Sequence, residues 1–185
     1  VKYSYKQGNK QCYILYFWLG ADSSADEKGA AALITTRMDD ELGGAATQVR
    51  VVMGKEPSHF VCLFKGKMVV HSGGKASGFK NKKATDSYDD DGVSLYHVRG
   101  TDELNTRAVQ VAEVAGSLNS GDCFVLLTPA TMFVWRGSGA NDTEALTATA
   151  VAETLRGGRA LEPVAEGDEP DGFWEALGGR GEYVT

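Results

Sequence analysis

The chain has 185 residues, a formal net charge of −6 and 42% hydrophobic residues. This length allows one large domain or two small ones, and the hydrophobic content is sufficient for buried cores. The negative charge argues against nucleic acid as the main partner. No signal peptide is recognisable, and no apolar run approaches the ~18 residues that span a membrane.

The first part of the chain predicts alternating strands and helices. Residues 12–19 are almost continuously apolar, as in a central strand that is buried on both faces. The remaining predicted elements are a strand at 1–5, a helix at about 26–42, a strand at 48–53, a short helix after Pro57 and a strand at 67–71. The chain starts within the first of these strands, which suggests a fragment of a longer protein.

The long helix at 26–42 has an acidic residue near each end and is followed by Gly43-Gly44, which suits a helix end. Four of its apolar residues recur at helical spacing and predict the face that packs in the core: Ala31, Ile34, Met38 and Leu42. Leu33 falls outside this stripe. A helix with this pattern is expected to face a partner as well as the core.

Residues 73–92 are rich in Gly, Lys and Asp and predict a linker between two domains, at 1–72 and 93–185. The second domain predicts strands at 93–98, 108–114, 122–127 and 131–135, a helix at about 144–156, a strand at 161–165 and a short helix at 170–177. The three cysteines of the chain, Cys12, Cys62 and Cys123, lie in apolar contexts and lack metal-ligand spacing, so they are predicted to be small buried residues in a reducing compartment.

The two parts of the chain repeat the same plan. Trp18-Leu19-Gly20 matches Trp135-Arg136-Gly137, and in each copy a glutamate, Glu27 or Glu144, comes seven residues after the glycine. Gly54-Lys55-Glu56-Pro57 likewise matches Gly167-Asp168-Glu169-Pro170. A repeat this long corresponds to a whole small domain. The counterpart of Gly121-Asp122 would lie just before Val1, so the first strand of the first copy is expected to be truncated.

These segments resemble two consecutive domains of the gelsolin–villin–severin family of actin-regulating proteins. The residues that carry the resemblance are Trp18 to Gly20 with Asp26-Glu27, Met38 to Gly44, Gly54 to Pro57, Leu118 to Asp122 and Glu169 to Gly179. The resemblance favours the fourth and fifth domains of a six-domain parent, with the first and second as the alternative. It implies an α+β fold in which each domain is a mixed sheet of about five strands between one long and one short helix.

The resemblance implies one calcium site in each domain. In the second domain its ligands would be the Gly121 carbonyl, Asp122 and Glu144. In the first, Glu27 and the Lys75 carbonyl match, but the Gly-Asp pair is missing, so that site is expected to be weakened or empty. The alternative for both glutamates is simple stabilisation of the helix dipole.

The resemblance also implies a second calcium in the first domain, shared with a carboxylate of actin. Its ligands would be the Asp39 side chain and the carbonyls of Gly44 and Ala46. The end of a helix carries exposed carbonyls and a partial negative charge, so acidic residues there would be relieved by a cation. The alternative is a solvated acidic surface. Leu155-Arg156-Gly157-Gly158 replaces this cluster in the second domain, where no shared site is expected.

For actin contact, the resemblance places the long helix in a cleft of actin, with Leu33 as apolar anchor and Arg37, Asp39 and Asp40 beside it. The alternative is that Leu33 widens the core stripe. A basic cluster suggests weaker binding to phosphoinositides, although neighbouring aspartates oppose it. Its members are Lys65, Lys67, Lys75, Lys80, Lys82 and Lys83.

The resulting hypothesis is a calcium-dependent actin-binding fragment of a filament-severing or capping protein of the cytoplasm and cytoskeleton, joined to further gelsolin-like domains. Arg136 stands where a family disulfide partner of Cys123 would be, which favours a cytoplasmic form. The alternative is a calcium-stabilised structural scaffold with weak or no actin binding. An enzyme is not expected, because His59, His71 and His97 form no triad, metal or phosphate motif.

Overall fold

The computed structural model describes residues 1–74, 91–100, 102 and 104–185. The chain forms two compact units. The first contains Val1–Phe60, and the second contains Val61–Gly73 and the described residues from 91 onward. No helix within these described ranges is long and apolar enough to cross a membrane.

The first unit is built on a three-stranded mixed sheet in the order β1-β2-β3. β1 and β2 form an antiparallel hairpin, and β2 pairs in parallel with β3. The long helix α1 packs against β2 and β3. The elements are β1 (Lys2–Gln7), β2 (Lys10–Leu19), α1 (Ala25–Glu41) and β3 (Ala46–Val52); the short helix α2 (Ser58–Cys62) crosses the boundary between the units at Phe60.

The second unit has a six-stranded mixed sheet in the order β4-β6-β5-β7-β8-β9. Alternate strand residues face two hydrophobic clusters, one under α3 and the other under α4. The elements are β4 (Met68–Val70), β5 (Ser94–Arg99), β6 (Arg107–Val111), a 3-10 turn (Ala115–Ser117), β7 (Cys123–Leu127), β8 (Thr131–Arg136), α3 (Asp142–Leu155), β9 (Ala160–Ala165) and α4 (Asp171–Ala176). This sheet between a long and a short helix confirms the α+β class.

Two features of the fold differ from the expectations. The described strands number three in the first sheet and six in the second, instead of about five in each. One reason is that β4, which the sequence pattern places in the first domain, pairs in parallel with β6 of the second sheet. Strand pairing is non-local, so a short apolar strand does not itself reveal which sheet it joins. The domain bounds of 1–72 and 93–185 stay a prediction.

The prediction of which face of α1 packs in the core was also partly wrong. Ile34 is 58% exposed, whereas Thr35 is buried at 6%. The Thr35 hydroxyl donates to the Ala31 carbonyl at 2.8 Å, which satisfies this polar group inside the protein. The helix therefore turns Ala31, Thr35 and Met38 towards the sheet and leaves Ile34 outside, next to Leu33.

Candidate functional site

The first turns of α1 and α3 are built alike. In α1, the Ser24 hydroxyl oxygen accepts the Glu27 N–H at 3.2 Å, and the Ser24 N–H donates to the Glu27 carboxylate at 2.7 Å. Asn141 and Glu144 repeat this capping box at 2.9 and 3.3 Å. Both glutamates thus have a structural role in the first turn of their helix.

The C-terminal end of α1 brings Asp39 close to the backbone of Gly44 and Ala46, whose carbonyls are the other two predicted calcium ligands. Gly43 and Gly44 adopt positive φ angles of 75° and 69° and turn the chain back towards the helix. Asp39 then accepts the Ala46 N–H through Oδ1 at 2.8 Å, and its carbonyl accepts the Gly44 N–H at 2.9 Å. The Gln48 amide donates to Asp39 Oδ2 at 2.9 Å. The Asp39 carboxylate therefore lies beside the backbone of Ala46.

Three of the four predicted actin-contact residues share one exposed face of α1, whereas the fourth, Asp39, is half-buried. Leu33, Arg37 and Asp40 are spaced by four and three residues, so they lie along one side of the helix. All three are exposed, Leu33 at 73%. Ile34 widens this face, although its spacing in the sequence assigned it to the core. The sequence did contain one indication of this, because Ile34 directly follows Leu33, which already lies outside the core stripe.

In the second unit, Asp122 and Glu144 both act on the pKa of one buried group, the Cys123 thiol. Burial, followed by the charge of Glu144, raises the pKa of the Cys123 thiol to about 12; Arg136 lowers it, and Asp122 has the smallest, raising effect. Asp122 Oδ2 is hydrogen-bonded to His97 Nε2 at 2.7 Å and accepts the Asn119 amide at 2.9 Å. The Gly121 N–H is held by the Asn119 side chain at 3.0 Å. These hydrogen bonds fix the loop that precedes β7.

A tryptophan–glutamate hydrogen bond also occurs once in each unit. Trp18 Nε1 donates to Glu56 at 3.0 Å, and Trp135 Nε1 donates to Glu169 at 2.8 Å. The same carboxylate oxygen accepts a glycine N–H, from Gly54 in the first unit and from its counterpart in the second, both at 2.9 Å. The sequence contains both repeated motifs, but their spacing does not show that they bond to each other.

This duplicated architecture agrees with the comparison with known proteins. The model of the gelsolin repeat matches residues 5–61 and 105–174. The chain belongs to the gelsolin family. Proteins of this family are not enzymes, as the sequence predicts for this chain.

Relatives match over the whole chain. It is 53% identical to cytoplasmic gelsolin of Homarus americanus, 42% identical to gelsolin of Xenopus laevis and 42% identical to advillin of Mus musculus. It spans 24%, 43% and 22% of these three proteins, respectively. A crystal structure of the Thorarchaeota 2DGel3/rabbit actin complex matches with a TM-score of 0.43 and 24% identity, over 95% of this chain and 86% of that one.

The donor atoms predicted at the end of α1 are of the chemical type that calcium prefers. Asp39, Gly44 and Ala46 offer only oxygen ligands, which this hard cation prefers. They include a single carboxylate, and the described residues contain no group of three or more His, Cys, Asp or Glu side chains that could hold a metal ion. These three oxygen donors alone would form only part of a calcium shell, so the calcium site at the end of α1 stays a prediction.

Only some of the lysines in the predicted basic cluster lie among the described residues. Lys65 and Lys67 are exposed in the turn between α2 and β4. Four lysines of the basic cluster lie outside the described residues: Lys75, Lys80, Lys82 and Lys83. The Lys75 carbonyl, which the first-repeat calcium site would require, is among them. The basic cluster and that calcium site stay predictions.

Proposed function

We propose that this chain is a calcium-dependent actin-binding part of a filament-severing or capping protein. Helix α1 docks in a cleft of actin, and an actin carboxylate shares a calcium ion with Asp39, Gly44 and Ala46. The observation that carries this proposal is the exposed apolar pair Leu33 and Ile34 on the same helix as the Asp39 ligand cluster. The names of the relatives, gelsolin and advillin, support an actin-regulating role.

The exposed face of α1 has the chemistry of a helix that binds in a groove. Leu33 is 73% and Ile34 58% exposed. Burying two such side chains contributes roughly 1.5–3 kcal/mol each. Arg37 and Asp40 flank them and supply polar contacts at the rim, where charged groups orient a partner more than they bind it.

The calcium part of the proposal rests on charge at the end of α1. The last turn contains no basic residue, so nothing from that turn offsets the negative end of the helix dipole. Asp39 and Asp40 add negative charge at the same end. A bound calcium would neutralise this charge and offer free coordination positions, and an incoming carboxylate completes the oxygen shell.

The second repeat has a different proposed role. Gly121, Asp122 and Glu144 are proposed as a calcium site that stabilises this repeat without contacting actin. Support comes from the negative charge that both carboxylates exert at the buried Cys123 thiol, whose pKa they raise. At the end of α3, Arg156 pairs with Glu153 at 3.0 Å, so a cation has no comparable negative site there.

The proposed location is the cytoplasm and its actin cytoskeleton, as part of a longer protein with further gelsolin repeats. The name of the Homarus americanus relative, cytoplasmic gelsolin, supports this location. Binding of phosphoinositides by the basic cluster is a lesser proposal, supported by the exposure of Lys65 and Lys67.

The alternative function is a calcium-stabilised scaffold with weak or no actin binding. The capping boxes favour it, because Glu27 and Glu144 have structural tasks that need no metal.

Actin-monomer binding and filament pelleting, each with and without calcium, test the proposal. Calcium is expected to raise the actin affinity of the wild type by at least about tenfold. Asp39→Ala should lose this increase. Glu153→Ala, which removes an acid near the matching end of α3, should retain it. Equal affinity in all conditions contradicts the shared calcium, and no binding under any condition supports the scaffold.

A further inference from the structure

The C-terminal segment of the second repeat, residues 181–184, lies directly on the loop of residues 119–122. The Ser120 N–H donates to the Val184 carbonyl at 2.8 Å, and Asn119 forms a parallel β-bridge with Val184. A Cβ atom on Gly181 would lie 3.1 Å from the Ala115 side chain. The segment is therefore packed closely against the chain that leads into the loop, which carries the proposed ligands Gly121 and Asp122.

Tyr183 anchors this segment in the core. Its ring packs edge-on against Trp135 at 5.9 Å between centroids and stacks with Trp174 at 6.3 Å. Its hydroxyl is hydrogen-bonded to the Glu166 carboxylate. Burial, followed by the charges of Glu166 and Glu169, raises the pKa of Tyr183, so the phenol keeps its proton and donates.

Glu166 connects the segment to the loop. Its Oε1 accepts the Ser120 hydroxyl, and its Oε2 accepts the Ser138 N–H at 2.7 Å. Burial acts to raise the pKa of Glu166, but the hydrogen bonds from Ser120, Ser138 and Tyr183 hold it below its ordinary value. An ionised carboxylate thus joins the C-terminal segment, the loop before β7 and the turn after β8.

The loop is fixed with little freedom to shift. Ser120 uses its N–H, its hydroxyl and its carbonyl, which accepts the Gly139 N–H at 2.8 Å. A Cβ atom on Gly137 would lie 2.4 Å from the Ser120 carbonyl oxygen, so only glycine allows this approach. Any displacement of Ser120 would also move the adjacent Gly121 and Asp122.

The first repeat lacks this acidic connection. By the offsets of the repeat, Ser138 corresponds to Ala21 and Glu166 to Met53. The Ala21 N–H faces the Met53 sulfur at 3.4 Å, where Ser138 donates to a carboxylate in the second repeat. The Glu166 network is therefore particular to the second repeat.

We propose that residues 181–184 form a latch that sets the calcium affinity of the second repeat, with Glu166 and Tyr183 as positioning residues. The inference rests on the proposed calcium site of Gly121, Asp122 and Glu144. Groups that orient the ligands of a metal change its affinity without touching it. Because coupling is reciprocal, calcium must tighten the latch by the same factor as the latch tightens calcium. A partner that draws Tyr183 away would release calcium.

Amide hydrogen exchange of the whole chain, followed by mass spectrometry during a calcium titration, tests the latch at each segment separately. In the wild type, calcium is expected to slow exchange in residues 119–122 and 181–184 with one common midpoint. Tyr183→Phe keeps the ring and removes the hydroxyl. It should speed exchange in both segments without calcium and raise the calcium midpoint roughly tenfold.

Two further variants separate the latch from general destabilisation. Glu166→Gln should shift the calcium midpoint in the same direction, whereas Glu162→Gln, an exposed change on strand β9, which ends just before Glu166, should leave it unchanged. Faster exchange in Tyr183→Phe and Glu166→Gln with an unaltered midpoint overturns the latch but leaves the calcium site intact. No protection by calcium in the wild type overturns the proposed site and, with it, the latch.

Discussion

Helices α1 and α3 begin in the same way and end differently. Both start with a capping box that pairs a glutamate with the residue three positions earlier. At its far end α1 carries Asp39 and Asp40, whereas α3 ends with Leu155 and Arg156. Both repeats share this beginning, so the divergent end is where a partner-specific function is expected.

The two helices also differ in how they are buried. Thr35 is the only residue within α1 that is buried, whereas α3 buries five residues, including Glu144, Ala148 and Val151. α1 instead exposes two adjacent large apolar residues, Leu33 and Ile34, and α3 exposes one, Leu146. The first repeat thus has the helix that is better suited to a second protein surface.

The largest expected effect comes from a charge on the exposed face of α1. Leu33→Asp should weaken actin binding by about 100-fold, because a carboxylate would enter an apolar groove. Leu146→Asp is the matched control, since Leu146 is 74% exposed on α3 and Leu33 is 73% exposed on α1. Monomer binding measures the effect, and thermal unfolding should show both variants as stable as the wild type. Equal loss of affinity in the two variants would remove α1 as the contact.

The tryptophans of the two tryptophan–glutamate pairs should contribute differently to the free energy of unfolding. Trp135 is fully buried against Phe124, whereas Trp18 is 37% exposed. Trp135→Ala should therefore lower the free energy of unfolding by about 3–5 kcal/mol. Trp18→Ala should cost clearly less, because part of its ring already contacts water. Urea unfolding of the whole chain tests this difference, and a larger loss in Trp18→Ala would contradict it.

The capping boxes should be equivalent in the two repeats. Ser24→Ala and Asn141→Ala each remove a side-chain acceptor for the N–H of the glutamate three residues on. Each should lower the free energy of unfolding by about 1 kcal/mol without calcium. Calorimetry of both variants makes the comparison. A loss of unfolding free energy in only one of the two variants would show that the two capping boxes do not stabilise their helices equally.

The smallest expected effect is a loss of stability at low pH through protonation of Glu166. The pKa of Glu166 is lowered in the folded chain, so its hydrogen bonds add stability above its ordinary pKa of 4.5, and this is lost as the pH falls through the folded value. The groups around Glu166 are Ser120, Ser138 and Tyr183, with Glu169 near the tyrosine. The stability advantage of the wild type over Glu166→Gln should therefore shrink below pH 4.5. The same scan of Met53→Gln should show no such trend, because Met53 does not titrate.

The repeated motifs predicted much of the fold but not all of its contacts. Trp18 and Trp135, with the glutamates seven residues after each glycine, correctly located both long helices and their first turns. The core face of α1 failed at Ile34, because apolar spacing in an alanine-rich helix allows more than one face. Thr35 could be buried only because its hydroxyl bonds to the preceding turn.

Non-local contacts explain the other differences. The strand at 67–71 was predicted, but its partner β6 lies about 40 residues further along the chain. Ser120 and Glu166 are 46 residues apart, and neither belongs to a periodic pattern. Such contacts depend on how the elements pack together, which hydrophobic spacing does not encode.

The shared calcium is tested most directly by a calcium titration of the whole chain with and without monomeric actin. Asp39, Gly44 and Ala46 supply only one carboxylate, so this site should bind calcium weakly in the free chain. Actin should raise its calcium affinity at least about tenfold, and Asp39→Asn should abolish that increase. An unchanged calcium affinity in a chain that still binds actin would contradict the account.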